Sequence, residues 1–167
     1  GIYNSSYGVI VKWKSVKNAS GYKIYRKTGI KGKWKNIAKV TGNRTLIYTD
    51  GSVKNGTTYT YTVRAYKNSS VSAYNKKGSK IICLKAPVQY TPSSKKTGKM
   101  TVKWKKSASV SGYQIQYSVS KKFTGSKTVS TSATTKTLSG LKKGKTYYTR
   151  IRTFKKTGGK TYYSAWG

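Results

Sequence analysis

Carboxylates are all but missing from this chain. Asp50 is the single Asp or Glu in 167 residues, set against 36 Lys and Arg, and there is no histidine. One carboxylate cannot form the pair a glycosidase requires. A Ser-His-Asp triad lacks its base, and a Ca²⁺ site wants several oxygen ligands. Ser–Lys nucleophile pairs are formally available, but both residue types are too abundant for their co-occurrence to signal anything. Cysteine is nearly absent as well. Cys83 stands alone in KIICLK, so no intramolecular disulfide can form, and without histidine neither can a Cys–His metal site or nucleophile. Cys83 is expected to behave as a small buried hydrophobe. No run approaches the roughly 20 apolar residues of a membrane span. No signal peptide is visible, and the start at Gly1 reads as a piece cut from a longer protein. The inventory predicts no enzyme, no metal and no cofactor.

What is present is charge and rings. The net charge is +35, which places strong self-repulsion on the surface. Hydrophobic residues make up only 35% of the chain, but 16 Tyr and 4 Trp compensate. Each buried ring removes roughly 150–250 Å² from water, enough to build a core and to argue against disorder.

The chain says the same thing twice. VIVKWK at Val9–Lys14 and GYKIYRK at Gly21–Lys27 return as MTVKWKK from Met100 and GYQIQY from Gly112, with Trp13 and Trp104 offset by 91 residues. VKNGTTYTYTVRAY at Val53–Tyr66 returns as LKKGKTYYTRIRTF at Leu141–Phe154, with Gly56 and Gly144 offset by 88. A period near 90 residues is too long for a solenoid and fits tandem domains, here 1–85 and 86–167. Within each copy the period is two. Val9, Val11 and Trp13 alternate with lysines; Tyr59, Tyr61, Val63 and Ala65 alternate with Thr60, Thr62, Arg64 and Tyr66. In the second copy Tyr147, Thr149, Ile151 and Thr153 oppose Tyr148, Arg150, Arg152 and Phe154. This is strand alternation with one packed face and one wet face. Turn signals fall between the runs, at Asp50-Gly51, Asn55-Gly56, Ser139-Gly140 and Gly158-Gly159. Short strands with frequent turns predict an all-β fold of two β-sandwiches. The expected core is Trp13, Tyr22, Ile24, Tyr59 and Val63 in one copy and Trp104, Tyr113, Ile115, Tyr147 and Ile151 in the other. Asp50, in TDGS, is expected to cap its own turn.

Both copies resemble fibronectin type III domains, in the lysine-rich form of Gram-positive bacterial surface and secreted proteins. The resemblance rests on Trp13 and Trp104, on Tyr22/Ile24 and Tyr113/Ile115, and on Leu141-x-x-Gly144-x-x-Tyr147 ahead of a strand carrying Arg150 and Arg152. Val53 replaces the leucine in the first copy. Tyr59 and Tyr147 match the family's tyrosine corner, whose hydroxyl bonds back to the backbone. The resemblance implies two tandem immunoglobulin-like sandwiches, the first expected to have a short or truncated first strand, the second a truncated last strand. It also implies an extracellular or cell-wall location.

The cations are 31 lysines and five arginines. Lysine is a hydrated point charge on a flexible stem, suited to diffuse attraction and not to a tailored fork. Lysine on wet faces keeps sandwiches soluble, yet a mixed surface would do that without self-repulsion. In a bacterial surface protein the implied partners are anionic polymers: teichoic acid, capsule, host glycans. The leading expectation is a non-catalytic binding and spacing module of a larger protein; a passive spacer is the alternative. A host protein is a further candidate, nucleic acid binding is incidental, and oligomeric state is not legible. A sharper candidate surface is the wet face of the third and sixth strands, with Lys23, Tyr25, Arg64 and Tyr66 in one copy and Gln114, Gln116, Tyr148, Arg150 and Arg152 in the other. Tyr and Arg are typical interface anchors, though cross-strand packing alone accounts for such a ladder. Unscreened repulsion predicts that the melting temperature rises from low to moderate salt, and on adding a polyanion. A melting temperature that ignores both would refute this account of the charge.

Overall fold

Why two short phrases recur becomes clear from the computed structural model, which describes residues 1–29 and 31–167. The chain divides into two units, Gly1–Cys83 and Leu84–Gly167. In the first, β1 (Ile2–Ser5), β2 (Gly8–Lys12) and β5 (Ile47–Asp50) form one antiparallel sheet in the order β1-β2-β5. The facing sheet runs β4 (Lys35–Thr41), β3 (Gly21–Thr28), β6 (Thr58–Lys67) and β7 (Ser70–Val71), with β8 (Ser79–Ile82) also on β6. The first strand is four residues long. In the second unit β9 (Met100–Lys103) pairs with β12 (Thr135–Leu138). The facing sheet is ordered β11 (Lys127–Thr131), β10 (Gly112–Ser118), β13 (Tyr148–Thr157), β14 (Lys160–Tyr163). A first strand is reduced here to bridges at Gln89–Trp104 and Ser93–Thr101.

The alternation puts the core between the sheets. Val9 and Val11 of β2 meet Ile24 of β3 and Tyr59 and Tyr61 of β6, with Cys83 among them. Val102 and Leu138 meet Ile115, Ile151 and Tyr113 in the second unit. Of the expected core, Tyr22, Ile24, Tyr59, Trp104, Tyr113, Ile115 and Ile151 are buried. Trp13, Val63 and Tyr147 are only half-buried. Trp13 follows β2 at the margin of the sandwich, where it packs on Tyr22 and the core while staying partly exposed.

Three devices explain the repeated residues. First, Trp13 lies on Tyr22 and Trp104 on Tyr113, both with ring centroids 5.3 Å apart. The hydroxyl of Tyr22 accepts from Val16 N at 2.9 Å, and that of Tyr113 from Ser107 N at 2.9 Å, so each ring is anchored at its polar end. Second, Tyr59 Oη accepts from Lys54 N and Tyr147 Oη from Lys142 N, each at 3.0 Å, which pins the preceding turn. Third, the glycine opening GYKI and GYQI leaves no room for a Cβ, which would meet a backbone carbonyl of the next strand, that of Val40 or, at 2.8 Å, that of Thr131, and also a ring lying over it. A Cβ on Gly21 would stand 2.7 Å from Tyr66 Oη, and one on Gly112 would stand 2.9 Å from Phe154 Cζ. Both glycines are directly paired with those aromatics, Gly21 with Tyr66 and Gly112 with Phe154.

The outer face of β6 is not wet throughout, which corrects the expectation from alternation. Tyr66 is 7% exposed, and Thr60 and Thr62 are buried. Tyr66 folds down over Gly21, with the Lys39 ammonium above its ring at 4.8 Å. Gly78 covers Thr60, closely enough that a Cβ on it would stand 2.8 Å from Thr60 Cγ2 and 2.9 Å from the Trp34 ring.

The single carboxylate closes one end of the first sandwich. Asp50 ends β5 with its side chain 1% exposed. Its oxygens accept from Arg26 Nη1 at 2.7 Å, Tyr61 Oη at 2.8 Å, Ser52 Oγ at 2.7 Å and Ser52 N at 3.0 Å. It thus caps its own turn, as expected, and also holds a buried ion pair. Arg26 Nη1 donates to Ser52 Oγ as well, so its side chain spans from β3 to the turn after β5. Burial by itself would raise the Asp50 carboxyl, but the hydrogen bonds from Ser52, Tyr61 and Arg26 outweigh it and hold the group below its ordinary value. Burial and the adjacent carboxylate push the Tyr61 phenol the other way, well above its ordinary range.

Two outcomes are expected. Gly112→Ala should cost the second unit about 1–3 kcal/mol by forced overpacking, read from the urea midpoint, and Phe154→Leu in the same chain should recover part of that loss. Equal costs with and without the Phe154 ring would remove the ring from the explanation. Because the folded pKa of Asp50 lies below the unfolded value of about 3.9, its stabilisation is complete above that pH and is lost as pH falls through the folded pKa. Acid should therefore destabilise the first unit selectively, followed by methyl NMR at Ile24 against Ile115, and Asp50→Asn should abolish the difference while costing about 3 kcal/mol at neutral pH. Equal acid sensitivity in both units would overturn this reading.

Candidate functional site

On the outer face of β3 and β6, Lys23 pairs across with Arg64 and Tyr25 with Thr62. Arg64 lies against a pair of rings. Its guanidinium carbon lies 4.1 Å from the centroid of Tyr74 and 5.7 Å from that of Tyr25. Its Nε donates to the Ser72 carbonyl. Tyr25 meets Tyr74 edge-on at 5.0 Å, Trp34 stacks on Tyr74 at 6.3 Å, and the Lys27 ammonium sits 5.1 Å from the Trp34 centroid. Burial would raise the Tyr25 phenol, but hydrogen bonds with Asn36, Tyr74 and Arg64 bring it below its ordinary value. Of the four candidates in this copy, Lys23, Tyr25 and Arg64 share the outer face half-buried, and Tyr66 lies beneath it.

The second copy carries a longer ladder. Gln114 pairs with Arg152 and Gln116 with Arg150. Arg150 Nε donates to Gln116 Oε1 at 2.6 Å, and Arg152 Nε and Nη2 donate to Gln114 Oε1 at 2.9 and 2.7 Å. The guanidinium of Arg150 lies 4.1 Å from the Phe123 centroid and 5.0 Å from that of Trp166. That of Arg152 lies 4.3 Å from Trp166 and 4.0 Å from Tyr163. Ring and cation alternate from Phe123 to Tyr163. Burial lowers the Arg152 pKa and the neighbouring Arg150 charge adds to it. Tyr148 does not join the ladder: it sits at the far end of β13, paired with Ser118.

Tyr74 and Trp166 complete these ladders, and neither was singled out from the alternation. A sequence signal existed. Ser72-Ala73-Tyr74 and Ser164-Ala165-Trp166 are the same phrase, offset by 92. In both copies the serine interrupts the edge: Ser72 Oγ accepts from Ala65 N at 3.1 Å and Ser164 Oγ from Thr153 N at 3.0 Å. Their own amides donate to the Ala65 and Thr153 carbonyls. The aromatic two residues on lies over the strand that carries the arginines.

Each arginine of the ladders is thus already stacked and hydrogen-bonded within its own sheet. The lysines are different. The second unit contains no carboxylate side chain at all. Along its β9–β12 sheet a cavity of about 410 Å³ is lined by Lys95, Lys96, Lys99 and Lys103 with the hydroxyls of Ser93, Thr101 and Thr137. Thr101 Oγ1 and Thr137 Oγ1 lie 3.2 Å apart. Ammonium groups beside hydroxyls can hold anionic oxygens monodentately, but they offer no fork for bidentate recognition. Among the described residues no group of three or more His, Cys, Asp or Glu could hold a metal, and no helix is long and apolar enough to cross a membrane.

Comparison with known proteins adds the family. Residues 85–166 match the model of the fibronectin type III domain. No curated protein matches the chain. Among solved structures, the chain is similar to the FN1–FN3 domains of chicken CNTN1, at 19% identity and a TM-score of 0.44, over 100% of this chain and 62% of that one. It is also similar to a two-domain fibronectin type III segment of chicken tenascin, at 19% identity and a TM-score of 0.43, over 100% and 94%. The chain therefore spans less than two thirds of the CNTN1 structure it matches. With a core between facing antiparallel sheets in each unit, the chain is all-β and folds as two tandem β-sandwiches, and residues 85–166 of the second match the fibronectin type III domain.

Proposed function

We propose that this chain is a non-catalytic, extracellular binding and spacing module of a larger bacterial surface or secreted protein. Distributed lysine charge holds it near anionic wall or host polymers. The observation that carries this reading is the uncompensated charge of the second unit: a carboxylate-free sandwich whose β9–β12 side lines a cavity with four lysines and three hydroxyls. A folded domain gains nothing internally from such a cluster, because like charges around one cavity repel. A polymer carrying repeated phosphate, sulfate or carboxylate groups removes that repulsion and releases its own counterions.

Diffuse binding of this kind is steeply salt-dependent, since screening shortens from about 10 Å at 0.1 M salt to about 3 Å at 1 M. The chain should sediment with purified cell wall that retains teichoic acid, release as salt rises toward 1 M, and fail to sediment with wall stripped of teichoic acid. Retention at high salt, or no sedimentation under any condition, defeats the proposal.

A further inference from the structure

The two units differ at one matching place. Asp50 is the last residue of β5 and Leu138 the last of β12, in phrases offset by the same 88 residues that relate Gly56 to Gly144. Arg26 pairs with Tyr61 across β3 and β6; in the second unit the corresponding pair is Tyr117 with Thr149. Ser52 corresponds to Gly140. The ion-paired cluster that closes this end of the first sandwich is thus replaced by a tyrosine, a buried leucine and a glycine, none of which can rebuild it. In its place stands a cavity of about 510 Å³, lined by Tyr117, Tyr147, Tyr148 and Leu141 and bordered by Lys127, Lys142 and Lys145. Val119, 53% exposed, adds to its apolar wall.

The rings are set in place. Tyr117 and Tyr147 lie tilted at 6.4 Å, and Tyr147 is tethered through its hydroxyl to Lys142 N. A second cavity of about 320 Å³ continues from the first, sharing Leu141, Lys142, Lys145 and Tyr147, and it reaches Lys99 of the four-lysine cavity. The volume falls in the range of small-molecule sites, about 300–1,000 Å³. We propose that this end of the second sandwich binds one acidic pyranose unit of an anionic polysaccharide, the ring against Tyr117 and Tyr147 and its acidic group toward the lysines, with the polymer continuing along the adjoining lysine-lined cavities. Tyrosine faces suit a flat ligand with one apolar side and polar edges. The three lysines have no carboxylate partner in their own unit, so the ligand supplies the missing charge. A peptide strand is a poorer occupant, because the strand carrying Tyr117 is already paired on both sides, to Lys127 and to Thr149. The proposal rests on the polyanion reading only in requiring an anionic ligand.

The test is amide NMR of the full chain titrated with methyl glucuronide, glucose 6-phosphate, glucose 6-sulfate, neutral methyl glucoside and the tripeptide Glu-Tyr-Glu. Saturable shifts at Tyr117, Gly140 and Leu141 are expected with one or more of the acidic sugars, the best of which names the acidic group, and affinity for the neutral sugar should be weaker by about tenfold or more, the loss of one charge-assisted contact. Tyr117→Arg combined with Leu138→Asp puts the ion pair of the first unit's end into the second without changing net charge, removing the Tyr117 ring, and it should abolish sugar binding while long teichoic acid still binds through the lysines elsewhere. Should that variant not fold, as judged from the Ile115 and Ile151 methyl signals, Lys127→Gln with Lys145→Gln should weaken the acidic sugar and leave the neutral one unchanged. Equal binding of methyl glucoside, equal or tighter binding of the tripeptide, or undiminished sugar binding after both sets of substitutions overturns the site. If no sugar binds but teichoic acid does, the site falls and the diffuse-charge reading survives; if acidic sugar binds and the polymer does not, the reverse holds.

Discussion

Positive charge with almost nothing to neutralise it is the constraint from which the rest of this structure follows. The cations turn to aromatic faces where another protein would use carboxylates: Lys12 over Tyr3, Lys39 over Tyr66, Arg64 over Tyr74, Arg150 and Arg152 around Trp166. Contact by contact the exchange costs little. An exposed cation–ring contact contributes about 0.5–1 kcal/mol, and an exposed salt bridge is worth about 0–1 kcal/mol. The difference is in the far field. A carboxylate cancels the charge it meets, whereas a ring is neutral and leaves it in place. Local satisfaction therefore coexists with a net charge of +35, and only something outside the fold can reduce it. That is why abundant tyrosine and absent acid belong to one explanation.

The fold was legible because alternation is a local signal. Tyr22 and Ile24, or Tyr113 and Ile115, are placed inward by their spacing whatever lies opposite, and the tyrosine corners at Tyr59 and Tyr147 are set by a contact only five residues away. What alternation does not report is coverage from the far side. Tyr66 has the parity of an outward residue, and it is buried because the residue across from it is Gly21. Thr60 is hidden by Gly78, which comes from a loop. The candidate faces were legible to the same depth and no further. Lys23, Tyr25 and Arg64 share a surface because cross-strand register follows from strand order, whereas the rings that complete each ladder arrive from the chain beyond the next turn, at Tyr74 and Trp166. Only the repeated Ser-Ala-aromatic phrase marks them, and its meaning depends on knowing that the serine interrupts an edge beside the arginines. The partner of Asp50 lay hidden for a related reason: Arg26 is 24 residues upstream, and nothing in its own neighbourhood sets it apart from the lysines around it.

The two copies also show how a sandwich can lose its last acid and keep its shape. Removing one member of a buried ion pair strands the other, at a cost of about 3–5 kcal/mol, but replacing both by packed apolar groups is often neutral or better. The second unit follows the second route, with Tyr117 and Leu138 where the first has Arg26 and Asp50. Leu138 joins the core beside Ile115 and Ile151, so the strand end that Asp50 fixes by hydrogen bonds is fixed here by burial. The exchange leaves packing intact and changes two other things together. It takes the only available carboxylate away from the unit, and it withdraws the side chains that span the end of the sandwich. An open, ring-lined end and the loss of the one internal counter-charge are thus two consequences of one pair of substitutions, on surfaces that are basic in both units.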